Sequence, residues 1–243
     1  MDTAPVILSF KLRLPQVGKN KLKKFAEINS FSNVIQPQSH HTLNRFIYRG
    51  RWTSDYFRND NPLVLEIGCG KGEYTTGLAQ VYPDTNFIGI DIKGDRIWKG
   101  AKLALDKGLT NVAFLRIQAE NITAFFERGE VSGIWLTFPD PQPRKSREKK
   151  RLTSPAFLKR YLDILKEGSP VHLKTDNREL FDYTLDIIGK QDHNTESLSP
   201  DLYSDEKVIE PLVKDIRTYY ENMFLVEGKR IHYVRFSLKP TAQ

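Results

Sequence analysis

A chain of 243 residues with 39% hydrophobic content is long enough for one sizeable core, and no apolar run approaches the roughly 20 residues of a helical membrane span. A single cysteine, Cys69, excludes an intramolecular disulfide and fits a reducing, cytoplasmic setting. The net charge of +7 is concentrated: residues 19–24 (KNKLKK) carry +4 and residues 144–151 (RKSREKKR) carry +5, leaving the rest of the chain at −2. Two compact cationic patches point to a polyanion such as nucleic acid, where an evenly basic surface would point only to solubility.

The N-terminal stretch alternates charge and apolarity too early for a signal-peptide core. Within the first 45 residues only LKKFAEI has helical spacing, so residues 1–45 read as an N-terminal extension with a basic arm at 19–24. From residue 62 the pattern becomes regular. Strand 63–67 (LVLEI) leads to helix 73–82, strand 86–91 to helix 95–107, and Gly108 stops that helix. Strand 112–117 is followed by a helix over 122–128, and strand 133–138 runs into FPDP. Helix 154–167 starts with Ser154 as N-cap and Pro155 at its first position. Strand 170–175 and helix 177–189 follow. Apolar strands alternating with amphipathic helices predict an α/β fold with a mostly parallel sheet over 46–243. Residues 190–204 read as a loop with a short strand and 205–222 as one helix. The last segment, 229–238, reads as an antiparallel strand at or near the sheet edge, with one face exposed.

Glu66-Ile-Gly68-Cys-Gly70-Lys-Gly72 follows the first of these strands. Glycines at alternate positions let a strand-to-helix turn approach a ligand without Cβ interference, although such a turn also serves dinucleotides or plain tight packing. Asp91 ends the next strand, where a carboxylate can accept hydrogen bonds from both ribose hydroxyls; the bland alternative is a helix N-cap. The dinucleotide spacing G-x-G-x-x-G would need glycine at position 73, and Glu73 stands there. Glu66 on the turn suits the ammonium of a methionine moiety and would repel a pyrophosphate, so charge favours S-adenosylmethionine. In such a sheet the strands at 63–67 and 133–138 lie side by side at the switch point. That places Asp140, held between Pro139 and Pro141, beside the methyl donor.

The motifs LEIGCGKG, GIDIK, FPDP with a basic run ending KKRLT, HLKTDN and TYYE occur in this order over residues 19–240. Together they resemble the bacterial tRNA (guanine-N7-)-methyltransferases. The resemblance implies a Rossmann-like class I S-adenosylmethionine-dependent methyltransferase fold for 46–243, with an antiparallel C-terminal strand. It implies methyl transfer from S-adenosylmethionine to N7 of the guanine at position 46 of the tRNA variable loop. By motif, Glu66, Gly68, Gly70, Asp91 and Gln118 fall on cofactor-binding positions and Asp140 on the catalytic aspartate. Arg144, Lys145, Ser146, Arg147, Lys149, Lys150 and Arg151 fall on the RNA-contacting run. Asp176, Thr218, Tyr219, Tyr220 and Glu221 fall on substrate-binding positions. No metal is expected, and the partner is tRNA.

Three departures from the family pattern stand out. Gln118 replaces the usual aspartate after the third strand, Gln142 replaces the tryptophan of the PDPW-type motif, and residues 1–18 precede the usual basic arm. Guanine N7 bears a lone pair and no proton, so Asp140 is expected to stabilise a developing purine cation, not to act as a base. Two other readings share parts of this pattern: a methyltransferase for another substrate, and a non-catalytic RNA-binding module on the same fold. The first leaves the cationic patches without a task, and intact Glu66, Asp91 and Asp140 weigh against the second.

Overall fold

Eight strands form a single sheet in a computed structural model that describes residues 19–37, 46–206 and 211–240. They are β1 (Val34–Ile35), β2 (Leu63–Ile67), β3 (Asn86–Ile90), β4 (Val112–Leu115), β5 (Gly133–Thr137), β6 (Pro170–Thr175), β7 (Asn194–Ser199) and β8 (His232–Ser237). Their order is β1-β4-β3-β2-β5-β6-β8-β7. All neighbours from β1 to β6 run parallel, whereas β8 is antiparallel to both β6 and β7. As the motif spacing predicts, β2 and β5 are adjacent, so the glycine turn after β2 and the FPDP turn after β5 emerge side by side.

Helices cover both faces, which is why the parallel strands are apolar on both sides. Leu63, Leu65 and Ile67 of β2 join Ile134 and Leu136 of β5 on one face. There they pack against Phe157, Leu158 and Tyr161 of α4 (Pro155–Ile164) and Phe181 of α5 (Arg178–Lys190). On the other face Phe87, Phe114 and Trp135 meet Tyr74 and Leu78 of α2 (Glu73–Val81) and Ile97 and Ala101 of α3 (Gly94–Asp106). That second face also carries a buried polar row: Glu66, Thr137, His172 and Lys174.

Residues 19–37 are built into this body. The basic arm opens α1 (Lys19–Ile28), which lies on α3 through a Trp98 Nε1 donation to Glu27 Oε2 at 2.8 Å. Asn33 Nδ2 donates to the carbonyl of Ala101 at 2.9 Å, and β1 extends the sheet beside β4. The expected extension over 1–45 is therefore in part the edge of the sheet domain; residues 1–18 and 38–45 lie outside the described residues.

Three predicted elements differ. The helix expected over 122–128 is a 3₁₀ turn over Ala119–Ala124. Ile122, Phe125 and Phe126 have helical spacing, but the carbonyl of Phe125 accepts the indole N–H of Trp52 at 2.9 Å and is lost to a longer helix. The helix expected over 205–222 is broken into α6 (Pro211–Asp215) and α7 (Tyr219–Val226), and residues 207–210 lie outside the description. A fresh N-cap at Thr218 starts the second piece: its side chain accepts from Glu221 N at 3.2 Å, completing a capping box. Finally, β8 has no exposed face. The short strand β7 takes the edge, so β8 lies inside the sheet with Tyr233, Val234 and Phe236 fully buried.

Close approach of α3 to the glycine turn depends on Gly100. A Cβ there would lie 2.7 Å from the carbonyl of Lys71, 2.8 Å from the Phe114 ring and 2.9 Å from the Cα of Gly72. Gly189 on α5 has nothing within 4 Å of the same position. Opposite outcomes are therefore expected. Gly100→Ala should cost about 1–3 kcal/mol through overpacking against backbone. Gly189→Ala should stabilise by about 0.5–1 kcal/mol through helix propensity and lower unfolded-state entropy. Thermal unfolding would read these as Tm shifts of about 2–4 °C per kcal/mol in opposite directions.

Candidate cofactor and substrate site

A cleft of about 420 Å³ opens at the C-terminal ends of β2, β3, β4 and β5, lined by Gly68, Asp91, Gln118, Phe138, Asp140 and Lys150 among others. Open α/β sheets bind ligands at this end. A larger hollow of about 780 Å³, between Arg49, Arg128 and Lys166, lies at the opposite end, before β5 and β6 begin. The polar backbone turns converge on the smaller cleft.

Its floor is the glycine turn. Gly68, Gly70 and Gly72 have φ of 79°, 54° and 67°, values at which a Cβ would be strained. The amides of Gly68 and Cys69 donate to Ile90 O at 2.8 and 3.0 Å, tying the turn to the end of β3. Asp91 completes the link: Oδ2 accepts from Gly70 N at 3.0 Å and Oδ1 from Lys93 N at 2.8 Å. Its carboxylate is half-exposed in the cleft and is held by two backbone amides, not by a cation. Gln118 is exposed on the same wall, as the residue preceding the 3₁₀ turn.

Glu66 sits elsewhere than the sequence pattern implies. It is 3% exposed, beneath the turn and outside the cleft lining. Thr75 N donates to Oε2 at 2.8 Å, and the hydroxyls of Thr75 and Thr137 make further short hydrogen bonds to its two oxygens. Burial pushes its pKa up to about 7, against the pull of those hydrogen bonds. Glu66 therefore anchors the first turn of α2 to β5 and places a titrating carboxyl under the glycine turn.

The opposite wall is the FPDP turn. Phe138 has φ of 47° and Gln142 a φ of 45°, so two non-glycine residues in the left-handed region bracket Pro139-Asp140-Pro141. Strain of this kind persists where the surroundings over-determine it. Here Phe138 N donates to Lys174 O at 2.7 Å, and Asp140 Oδ1 accepts from Gln142 N at 3.0 Å. Arg151 closes the turn: its Nε donates to Pro141 O at 3.1 Å, and its guanidinium lies 4.3 Å over the Tyr183 ring. Of the seven residues assigned to RNA, Arg151 is thus used within the fold. Lys145, Ser146, Arg147, Lys149 and Lys150 are exposed on a 3₁₀ turn (Lys145–Lys150), Arg144 is exposed just before it, and Lys150 reaches the cleft.

Asp176, Thr218, Tyr219, Tyr220 and Glu221 form a second cluster beside the cleft. Tyr219 and Tyr220 are exposed at the start of α7, and Tyr219 N donates to Glu73 Oε2 at 2.8 Å. Asp176 is half-buried, 3.7 Å from Lys229. Glu221 and Thr218 differ from expectation. Glu221 is fully buried, 2.6 Å from Lys174 Nζ, and accepts from the Tyr203 hydroxyl at 2.7 Å. The Thr218 hydroxyl is spent on the cap of α7. Lys174 also donates to the carbonyls of Val213 and Ile216, and burial lowers its pKa despite Glu221 beside it.

Sequence reasoning missed Lys174, Thr75 and Thr137. A lysine in an otherwise apolar strand (VHLKT) is the one signal that could have marked the first. Among the described residues, no group of three or more His, Cys, Asp or Glu could hold a metal, and no helix is long and apolar enough to cross a membrane.

The raised pKa of Glu66 predicts a definite sign of pH dependence. The folded state holds this proton more tightly than the unfolded state, so the contribution is full below about 4.5 and is lost as pH rises through about 7. Glu66→Gln removes the titration. The stability difference between variant and parent should move in the variant's favour from pH 5 to pH 8, by an amount on the order of 2–3 kcal/mol. Urea unfolding at both pH values measures it; a parallel pH response of the two proteins would contradict the assignment.

Residues 60–234 match the family model described as "Putative methyltransferase". A tRNA (guanine-N(7)-)-methyltransferase from Christiangramia forsetii is 50% identical over 223 residues, covering 91% of this chain and 99% of the relative. The enzyme of that name from Cytophaga hutchinsonii is 44% identical over 226 residues, covering 92% of this chain and 100% of the relative. Among solved structures, an antibiotic-related methyltransferase aligns with a TM-score of 0.59 at 17% identity, over 86% of this chain and 98% of the other. The 16S rRNA methyltransferase KamB aligns at 0.58 and 17% identity, over 84% of this chain and 96% of the other. These two likenesses establish the Rossmann-like α/β methyltransferase fold, and identity over nearly full length with the relatives establishes more: the chain belongs to the tRNA (guanine-N(7)-)-methyltransferase family.

Proposed function

We propose that this enzyme transfers a methyl group from S-adenosylmethionine to N7 of the guanine at position 46 in the tRNA variable loop, in the cytoplasm. The observation that carries the reading is one cleft with the glycine turn and Asp91 on one side and the strained Asp140 turn on the other. The donor set fits the cofactor: a glycine-rich backbone cradle, and a carboxylate held only by backbone amides that is free to accept from ribose hydroxyls. Gly68, Gly70, Asp91 and Gln118 would hold it. When bound, the cofactor supplies an electrophilic sulfonium methyl group.

The residues of this chain do the rest. N7 has no proton, so no base is required, only alignment. Asp140 accepts hydrogen bonds from the guanine edge and opposes the positive charge that grows on the purine. Its turn is pre-set by Gln142 N and Arg151, so little reorganisation accompanies the reaction. The target base must leave its stack, at a cost of a few kcal/mol, and the exposed cations over 144–150 hold the flanking phosphates. Asp176, Tyr219 and Tyr220 bound the guanine from the far side.

The direct test is methyl transfer from labelled S-adenosylmethionine to unmodified tRNA, with nucleoside identification. Label should enter 7-methylguanosine, and a transcript with adenine at position 46 should accept none.

Asp140→Asn keeps shape and loses charge. Turnover should fall roughly 10²–10³-fold, as for loss of one preorganised electrostatic group, with cofactor affinity nearly unchanged. Asp91→Ala should do the reverse, weakening cofactor binding in calorimetry while tRNA affinity stays within a few-fold. Near-parent turnover of Asp140→Asn would make the carboxylate a mere turn residue.

The basic run should also divide in two. Lys149→Gln with Lys150→Gln should lower the slope of log K against log[salt] for tRNA by about 0.7–0.9 per lost phosphate contact. Arg151→Gln should leave that slope nearly unaltered and lower kcat, because its guanidinium braces the Asp140 turn. Equal slopes for all three proteins would remove the lysines from the RNA interface.

A further inference from the structure

Helix α7 reads YYENMFLV, and Glu221 is its one buried residue. Tyr219 is 54% exposed, Tyr220 47% and Val226 90%. Phe224 and Leu225 pack in part against the core, but packing within the chain does not account for the exposed Tyr219, Tyr220, Met223 and Val226, and exposed apolar surface beside a cleft marks a contact site. The rings are ordered. From Phe138 at the cleft, centroids run 5.8 Å to Phe224, 6.5 Å on to Tyr220 and 5.7 Å on to Tyr219. Cations flank the row: Lys71 Nζ is 4.7 Å from the Tyr219 centroid, and Lys229 Nζ is 4.4 Å from that of Phe224. Acidic neighbours balance both, with Glu73 at Tyr219 N and Glu227 and Asp176 around Lys229.

We propose that Tyr220 and Phe224, continuous with Phe138, form a stacking platform for an unpaired nucleobase next to the target guanine, with Lys71 on an adjoining phosphate. The inference rests on the function proposed above and extends the contact along α7 to Phe224 and back to the glycine turn. Its physical basis is simple. Turning one base out of a loop unstacks its neighbour, and an aromatic face replaces the lost stacking whatever the base, because every base has a π face. A protein partner would need no ladder of rings leading out of the guanine site. RNA does, and cations at the margins suit its backbone.

Phe224→Leu keeps apolar contact with Phe138 and removes the ring. The expected result is a rise of about 10-fold in KM for tRNA, with kcat at saturating tRNA changed less than twofold and S-adenosylmethionine affinity unaltered; Phe224→Trp should restore KM. Independently of any variant, 5-iodouridine placed singly at unpaired variable-loop positions of the tRNA should photocrosslink the parent protein at Tyr220 or Phe224. Unchanged KM for Phe224→Leu together with no crosslink on α7, while the parent still makes 7-methylguanosine, would overturn the platform and leave the enzyme's function standing. A parent protein that methylates no tRNA would overturn both. A concentration-dependent dimer abolished by Val226→Lys, with crosslinks absent, would assign the face to a second copy of the chain instead.

Discussion

Lys174 is the residue through which both halves of the site are held. Its side chain, in the sheet interior, meets Glu221 and two carbonyls, that of Val213 in α6 and that of Ile216 just after it. Its own carbonyl accepts the amide of Phe138, where the chain turns left-handed into Pro139-Asp140. One residue of β6 therefore fixes the carboxylate turn on one side and the aromatic helix on the other. A buried ion pair adds little net stability over an apolar isostere, but removing one partner leaves an uncompensated charge at a cost of about 3–5 kcal/mol. The pair thus specifies where α7 sits more than it stabilises the fold.

Charge in this protein is layered. Glu66 lies innermost, Asp91 and Asp140 line the cleft, Lys150 stands at its rim and Lys149 outside it. Such an order suits a cationic small ligand bound deep and a polyanion bound at the mouth, since each meets the opposite sign at its own depth. Within the basic run Arg151 stands apart, bonded inside the fold. Arg151 has a planar fork that can cap two backbone carbonyls and lie on Tyr183 at once, a task for which the single ammonium of a lysine is poorly shaped.

Much of this was legible along the chain. The alternation of strands and helices, the glycine turn, Asp91 at a strand end and the proline-bound Asp140 are local patterns whose spacing is set by backbone geometry, and the sheet order follows from them. Local chemistry also marks the N-cap role of Thr218, once the break before α7 is known. What is absent from the sequence is the competition for hydrogen bonds. Phe125 was lost to a helix because Trp52, 73 residues away, takes its carbonyl. Glu221 falls on a substrate-binding position through the family resemblance of TYYE, and only the fold brings Lys174 beneath it.

The sequence by itself determined the fold class, the position of the cleft and the two residue sets, acidic and basic, that face it, because these depend on periodicity and on turns of a few residues. Tertiary structure alone decided which members of each set remain available. Glu66, Glu221, Thr218 and Arg151 are bonded to groups remote in the chain or spent on capping, whereas Asp91, Asp140, Lys149 and Lys150 keep atoms directed to solvent. The reason is that a charged group taken out of water must be paired, and the partner that satisfies it is chosen by packing across the sheet, which no local pattern encodes.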